Sequence, residues 1–244
     1  MRTIISHFYN EEYLLPWWLQ HHVAIFDYGV MIDYASTDAS VDICRSIAPN
    51  WRVVRSRNLK FEAIAVDFEV MQYESELPGW KIVLNTTEFL CGVNLPAMEQ
   101  AMVIQDIAGC YLESAIMVDV LPEQPPTQAL PLVEQKYHGF MEDYPKVHSR
   151  IYHRASIGAY LPGRHASSQP GLTQTSGIGT VMWYGMSPWT EAARKRHLQI
   201  QTQIPERDRR AGFGAQHMVD IAQLEQKRQS VLSQAVDLRH LVVR

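Results

Sequence analysis

The chain has 244 residues, of which 46% are hydrophobic and 20% charged, ordinary for a soluble globular protein with room for one sizeable domain. A net charge of −4 excludes a dedicated nucleic-acid binder, whose affinity rests on neutralising phosphates, and no apolar run approaches the roughly 20 residues of a bilayer-spanning helix. Three widely spaced cysteines, Cys44, Cys91 and Cys110, exclude a disulfide framework and point to a cytoplasmic setting, with any membrane association peripheral.

Residues 3–6 predict a first strand, closed by the polar Asn10-Glu11-Glu12. Pro16 suits the first turn of a helix carrying Trp17, Trp18, Leu19, His21 and His22. Residues 28–33 read as a second buried strand, then a turn over 35–38 and a helix over 41–47 that Asp38 or Ser40 caps. Residues 51–54 predict a third strand. Phe61, Ile64, Ala65, Phe68 and Met71 recur at helical spacing, and Pro78-Gly79 stops that helix before a fourth strand over 81–84. Beyond it the pattern gives a helix over 96–108, a strand over 114–120 and a proline-rich irregular loop over 121–132. Short strands follow over 150–154 and 180–184. From Trp189 the character is helical, with Met218, Ile221, Leu224, Val231, Ala235 and Leu238 as the apolar stripe of a last helix. Alternating strands and helices predict an α/β fold with a mostly parallel sheet flanked by helices. The change at 189 divides the chain into a domain over 1–188 and a helical C-terminal extension over 189–244 packed on it.

Ligands of open α/β sheets sit outside the carboxyl ends of the strands. Three such ends are polar here: His7-Phe-Tyr9-Asn10-Glu11, Asp33-Tyr-Ala-Ser36-Thr-Asp38 and Asn85-Thr-Thr87-Glu88. Tyr9, Asn10 and Glu11 offer a ring to stack on a base beside hydrogen-bonding groups, and Asp33 can accept from a ring N–H or a ribose hydroxyl. Ser36 and Asp38 either join this grip or build the turn and the helix cap.

Asn10-Glu11-Glu12, Trp17-Trp18-Leu19-Gln-His21-His22, the run from Asp27 to Asp33 and Ser36-Thr37-Asp38-Ala-Ser40 resemble the start of family-2-type glycosyltransferases. The likeness is dense over 1–58 and recurs at 80–90, 163–165 and 180–195. It implies the single-domain GT-A fold, with Asp33 near the base of a UDP-, GDP- or dTDP-sugar. In that family the fourth strand ends in Asp-x-Asp-Glu-Phe, whose aspartates hold a divalent metal; here those positions read Asn85 and Thr87. Relatives also carry a metal-binding His-Tyr where this chain has Trp183-Tyr184. Carboxylate oxygens are what hard cations want, and Asn85 and Thr87 are poorer ligands. The departures imply that no metal is required, with residual manganese or magnesium binding left open. Either protein cations such as Arg194 and Lys195 neutralise the diphosphate, or the chain is an inactive binding subunit, or ligands come from Asp119, Glu142, Asp143 or His165.

Inverting transfer needs a carboxylate to take the acceptor proton. Glu113, Asp119, Glu123, Glu142 and Asp143 are available, and the acidic pair Glu142-Asp143, beside an aromatic at a loop, is the preferred choice together with Glu88. Gly163-Arg164-His165 resembles the family's Gly-x-His element, which puts His165 near donor phosphate or acceptor. Trp183, Tyr184 and Trp189 are candidate sugar platforms or core. The resulting expectation is an inverting glycosyltransferase acting on a glycan or polysaccharide acceptor, with weak or no metal dependence and a homodimer through the last helix as a further option. The alternative is a catalytically inactive relative that binds a nucleotide, a sugar or a protein partner.

Overall fold

The computed structural model describes residues 1–143, 148–174 and 177–242. Its main sheet has seven strands in the order β10-β6-β9-β4-β1-β2-β3. These are β1 (Arg2–Phe8), β2 (Tyr28–Asp33), β3 (Arg52–Arg55), β4 (Trp80–Val83), β6 (Gly109–Tyr111), β9 (Ile151–His153) and β10 (Leu172–Gln174). The run β4-β1-β2-β3 is parallel throughout, β9 is antiparallel to both β4 and β6, and β10 pairs parallel with β6. Both faces are covered, which is why β1, β2 and β4 read as continuous apolar runs. Ile4, Met31 and Ile82 face the core under α1 (Leu15–Val23) and α2 (Ser40–Ile47), while Ile5, Val30, Ile32 and Val83 pack toward α3 (Ala63–Ser75).

A second sheet of five strands has the order β12-β8-β7-β11-β5, built from β5 (Glu88–Cys91), β7 (Glu113–Val118), β8 (His138–Met141), β11 (Thr180–Met186) and β12 (Val236–Asp237). Its central pair, β7 and β11, is parallel. The other helices are α4 (Leu95–Ile104), α5 (Leu132–Gln135), α6 (Glu191–Gln199), α7 (Glu206–Arg210) and α8 (Ile221–Val231). Among the described residues, no helix is long and apolar enough to cross a membrane.

Several elements differ from the sequence reading. Helix α3 forms, but Ile64 and Phe68 of its apolar stripe are 50% and 60% exposed. The face turned inward carries Asp67, Glu69 and Glu74 beside Val66, Val70 and Tyr73, because each carboxylate meets donors from elsewhere in the fold. The apolar stripe of the last helix is divided as well. Helix α8 ends at Val231, and β12 returns to pair with β8, so that Leu238 is buried in the main core. The loop expected at 139–143 is the strand β8 as far as Met141.

Candidate functional site

The strand order places a reversal between β1 and β4: successive strands run one way from β1 through β2 to β3, while β4 lies on the other side of β1. A crevice opens at the carboxyl ends flanking such a switch point. A cleft of about 730 Å³ lies there, lined by Phe8, Tyr9 and Glu11 at the end of β1 and by Asn85, Thr86 and Thr87 beyond β4. His148, His165 and Trp183 form a further wall, and Arg196, His197 and Gln199 of α6 close over it together with Phe213 and His217.

The end of β4 is built around an ion pair. Glu88 is fully buried and takes a bidentate grip from Arg150, Nε to Oε2 at 2.8 Å and Nη2 to Oε1 at 2.6 Å. The backbone N–H of Asn85 donates to the same carboxylate at 2.7 Å, and its side-chain amide at 3.2 Å. Burial alone would raise the Glu88 pKa, but the charge and hydrogen bonds of Arg150 hold it below the ordinary carboxylate value. Both oxygens are taken, and Glu88 is not among the described residues lining the cleft, so its expected catalytic role is replaced by a structural one. The Asn85 Oδ1 accepts from Arg164 Nη2 at 3.0 Å. The strand end thus has a carbonyl and a carboxylate already occupied by two guanidinium groups, which does not fit a divalent cation. Among the described residues, no cluster of three or more His, Cys, Asp or Glu is arranged to hold a metal ion.

The guanidinium groups also shape the turn that carries His165. Gly163 and Arg164 are both left-handed, at φ 89° and 63°. Asp67 of α3 holds this turn by accepting from the Gly163 N–H at 2.9 Å and from Arg164 in a buried ion pair. A left-handed non-glycine residue needs such outside restraint. Arg150 Nη1 donates to the Gly163 carbonyl at 2.7 Å and to His165 Nδ1 at 3.1 Å. Arginine has no acceptor, so Nδ1 carries the lone pair and Nε2 the proton. Burial and the Arg150 charge push the His165 pKa down to about 3, leaving a neutral N–H donor at the cleft wall.

The loops after β1 and β2 are knitted together. Ser36 Oγ accepts from the Asn10 N–H at 3.0 Å, Asn10 Oδ1 from Thr37 at 2.7 Å, and Asp38 from both Glu12 and Ser40. Asp33 accepts from the Ser36 N–H at 2.8 Å, and Arg55 stands 3.8 Å from its other oxygen. The N-cap of α2 is Ala39, without a side-chain cap bond, so neither Asp38 nor Ser40 caps it. Among the predicted site residues, Tyr9, Glu11, Asn85, Thr87 and His165 line the cleft together, while Asn10, Asp33, Ser36 and Asp38 build the loops behind them. The cation of α6 that reaches the cleft is Arg196, ion-paired with the buried Glu11, whereas Lys195 is exposed and Arg194 does not line it. Burial raises the Glu11 pKa, and Arg196 works against that shift.

Glu142 follows β8 and is fixed from three sides. Its Oε2 accepts from Ser114 Oγ at 2.6 Å and from the His148 N–H at 2.9 Å, and its Oε1 lies 2.8 Å from His148 Nδ1. Burial would raise its pKa, but the His148 and Ser114 hydrogen bonds bring it below the ordinary value. Asp143 is exposed and does not line the cleft. Of the other acids considered as bases, Asp119 is buried against Lys136 at 2.8 Å and the Trp189 N–H at 2.8 Å. Tyr184 is core, with its hydroxyl donating to the Lys136 carbonyl at 2.8 Å, and one face of Trp183 is covered by the His148 ring at 4.4 Å.

The Trp-rich helix serves the fold. Strand β5 is the sheet edge, and its outward groups are met by α1: Trp18 Nε1 donates to the Glu88 carbonyl at 2.8 Å, His21 Nε2 to the Leu90 carbonyl at 2.8 Å, and the Leu90 N–H donates to His22 Nε2 at 3.3 Å. Sequence reasoning missed Arg150, Arg164 and His148. The signal for the first was Glu88 itself, since a carboxylate at the head of an apolar strand requires a buried cation somewhere in the chain.

No family profile matches the chain, and no curated protein is similar to it in sequence. Among solved structures it is similar to S. aureus TarS 1–349, with a TM-score of 0.45 and 12% identity over 83% of this chain and 64% of that one. The complex of that protein with UDP-GlcNAc gives 0.45 and 13% over 83% and 66%. Glucosyl-3-phosphoglycerate synthase from Mycobacterium tuberculosis, in complex with Mn2+ and UDP-glucose, gives 0.44 and 11% over 75% and 70%. The chain therefore spans less than two thirds of the TarS segment it overlaps. The likeness is one of chain path.

Proposed function

We propose that the chain is a glycosyltransferase that takes its sugar from a nucleotide-sugar donor and works without a required metal. The observation that carries this reading is the cleft at the β1/β4 switch point. It gathers Tyr9, Glu11, Asn85, Thr87 and His165 from three separate segments, the same segments in which the sequence resembles family-2-type glycosyltransferases. In this reading Tyr9 and Glu11 meet the nucleoside, braced by the Asn10, Ser36 and Asp38 loop contacts. Thr87 and the His165 N–H meet the diphosphate, with Arg196 as the nearest guanidinium lining the cleft. The sugar then points toward His148 and Trp183, where a glycan hydroxyl enters for inverting attack. The helical segment from residue 189 is the roof under which donor binds.

The test is calorimetric titration with UDP-, GDP- and dTDP-glucose, with and without manganese, followed by chromatographic detection of released nucleotide. Binding and turnover of one donor in chelator is the expected result, and no binding of any of the three overturns the reading. A second reading, a binding subunit without turnover, is favoured by Asn85 and Thr87 standing where the family has aspartates. Binding without nucleotide release, across glycan acceptors, would select it.

A further inference from the structure

The proposed transfer requires a group to take the acceptor proton, and the acid expected to do so, Glu142, has both oxygens engaged before any substrate arrives. We propose that His148 is the general base and Glu142 its positioning residue; this rests on the glycosyltransferase reading above.

The geometry is that of a carboxylate–imidazole dyad. An ionised carboxylate only accepts, so His148 donates through Nδ1–H to Glu142 Oε1 across 2.8 Å. The neutral ring then keeps its lone pair on Nε2, and His148 lines the cleft. The ring cannot turn freely. Trp183 stacks on it at 4.4 Å with 25° between the planes, and the His148 backbone N–H is tied to the same carboxylate at 2.9 Å. Glu142 is itself anchored by Ser114 Oγ of β7 at 2.6 Å, and its backbone N–H donates to the Ser114 carbonyl at 3.0 Å. The base is therefore held by the second sheet while the donor site is held by the first. The titratable groups facing His148 are Glu142 and the neutral His165, whose ring centroid is 6.2 Å away; Ser114 and Trp183 are uncharged. The other ionisable groups lining the cleft among the described residues are His7, Tyr9, Glu11, Arg196, His197, His217 and Lys227.

In the step, His148 Nε2 takes the hydroxyl proton as the acceptor oxygen bonds to the anomeric carbon. The bond from that carbon to the diphosphate oxygen breaks, and its electron pair leaves with the nucleoside diphosphate. The imidazolium formed faces the Glu142 carboxylate, and the proton later passes to solvent.

Two measurements on the whole chain test this. Nitrogen NMR of His148 should show the neutral form protonated on Nδ1 in the wild type and on Nε2 in E142Q, where Ser114 and the His148 backbone N–H claim the amide oxygen and the amide NH2 faces Nδ1. An Nε2-protonated ring in the wild type, or a tautomer that E142Q leaves unchanged, overturns the dyad. Nucleotide release from UDP-, GDP- and dTDP-glucose, with water as acceptor, should fall at least ~100-fold in H148Q while donor Kd stays within about twofold. If H148Q keeps more than about a tenth of the rate in the same assay, the base assignment falls and the glycosyltransferase reading stands. If the wild type neither binds nor cleaves any donor, that reading falls and takes the base assignment with it.

Discussion

His22 is a residue with one allowed protonation state. Its Nδ1 faces the Trp18 carbonyl at 2.8 Å and so carries the proton, and its Nε2 accepts from the Leu90 N–H at 3.3 Å. A second proton would set two N–H groups against each other in a fully buried site, and burial, with His21 alongside, keeps the pKa well below 6.5. The unfolded chain takes that proton near pH 6.5 and the native chain does not. Stability is therefore complete above about pH 6.5 and lost as pH falls toward the native value, by about 1.4 kcal/mol per pH unit for each such residue. Urea denaturation of H22A should show a loss of roughly 2–4 kcal/mol at pH 7, from the cavity and the stranded Leu90 N–H, and a shallower fall between pH 6.5 and 5. Glu88 makes the complementary case. In E88Q the buried Arg150 keeps its charge without a counter-charge, and the expected loss is roughly 3–5 kcal/mol by the same measurement. A loss below about 1 kcal/mol would mean that Arg150 finds another partner.

At the scale of elements, the strands that could be read from sequence were those with apolar residues on both faces. Ile4 and Ile5 in β1, Met31 and Ile32 in β2, and Ile82 and Val83 in β4 go to opposite cores, and alternation of this kind is written locally. Strands β5 and β12 are short, and they become strands only by pairing with partners far along the chain, such as β8 for Val236 and β11 for Glu88. Helix α3 forms where its spacing predicts, but its inward face differs for a related reason. Its carboxylates look solvated because their partners are 97 residues away for Arg164 at Asp67 and 84 for Gly158 at Glu74. The cleft segments beyond β1 and β4 were legible as polar strand ends, yet His148 was not, since the contacts that fix it come from Glu142, just after β8, and from Trp183 of β11. The inward face of α3 also divides by function. Glu69 bonds Ser56 at 2.6 Å and Asn58 at 2.9 Å, whereas Asp67 holds the turn that carries His165. Both D67N and E69Q should lower the melting temperature. In calorimetry only D67N should weaken donor binding, by about tenfold or ~1.4 kcal/mol; equal effects from the two variants would separate His165 from the donor.

Over the whole molecule, charge is sorted by depth. Behind the cleft, Arg150 and Arg164 are cancelled by Glu88 and Asp67, so the interior near the β4 strand end is close to neutral. At the cleft surface, Arg196 and Lys227 belong to the helical roof, and Arg196 is shared with Glu11 from the floor. On the glycosyltransferase reading proposed above, a diphosphate entering between them supplies Arg196 with a second anion beside Glu11. On that reading, positive charge that arrives with the roof takes the place that an Asp-x-Asp metal would fill on the floor, and it predicts a different response to solution conditions. Screening shortens from about 10 Å at 0.1 M salt to about 3 Å at 1 M, so donor Kd should rise steeply with salt. The R196Q/K227Q variant should raise Kd by about tenfold or more at 0.1 M salt and flatten that dependence, because guanidinium contacts to phosphate are charge-assisted. Chelator should leave the wild-type Kd unchanged, and manganese should not rescue the variant. If manganese does restore its binding, or chelator abolishes that of the wild type, the diphosphate is met by a metal after all and the roof cations have another use.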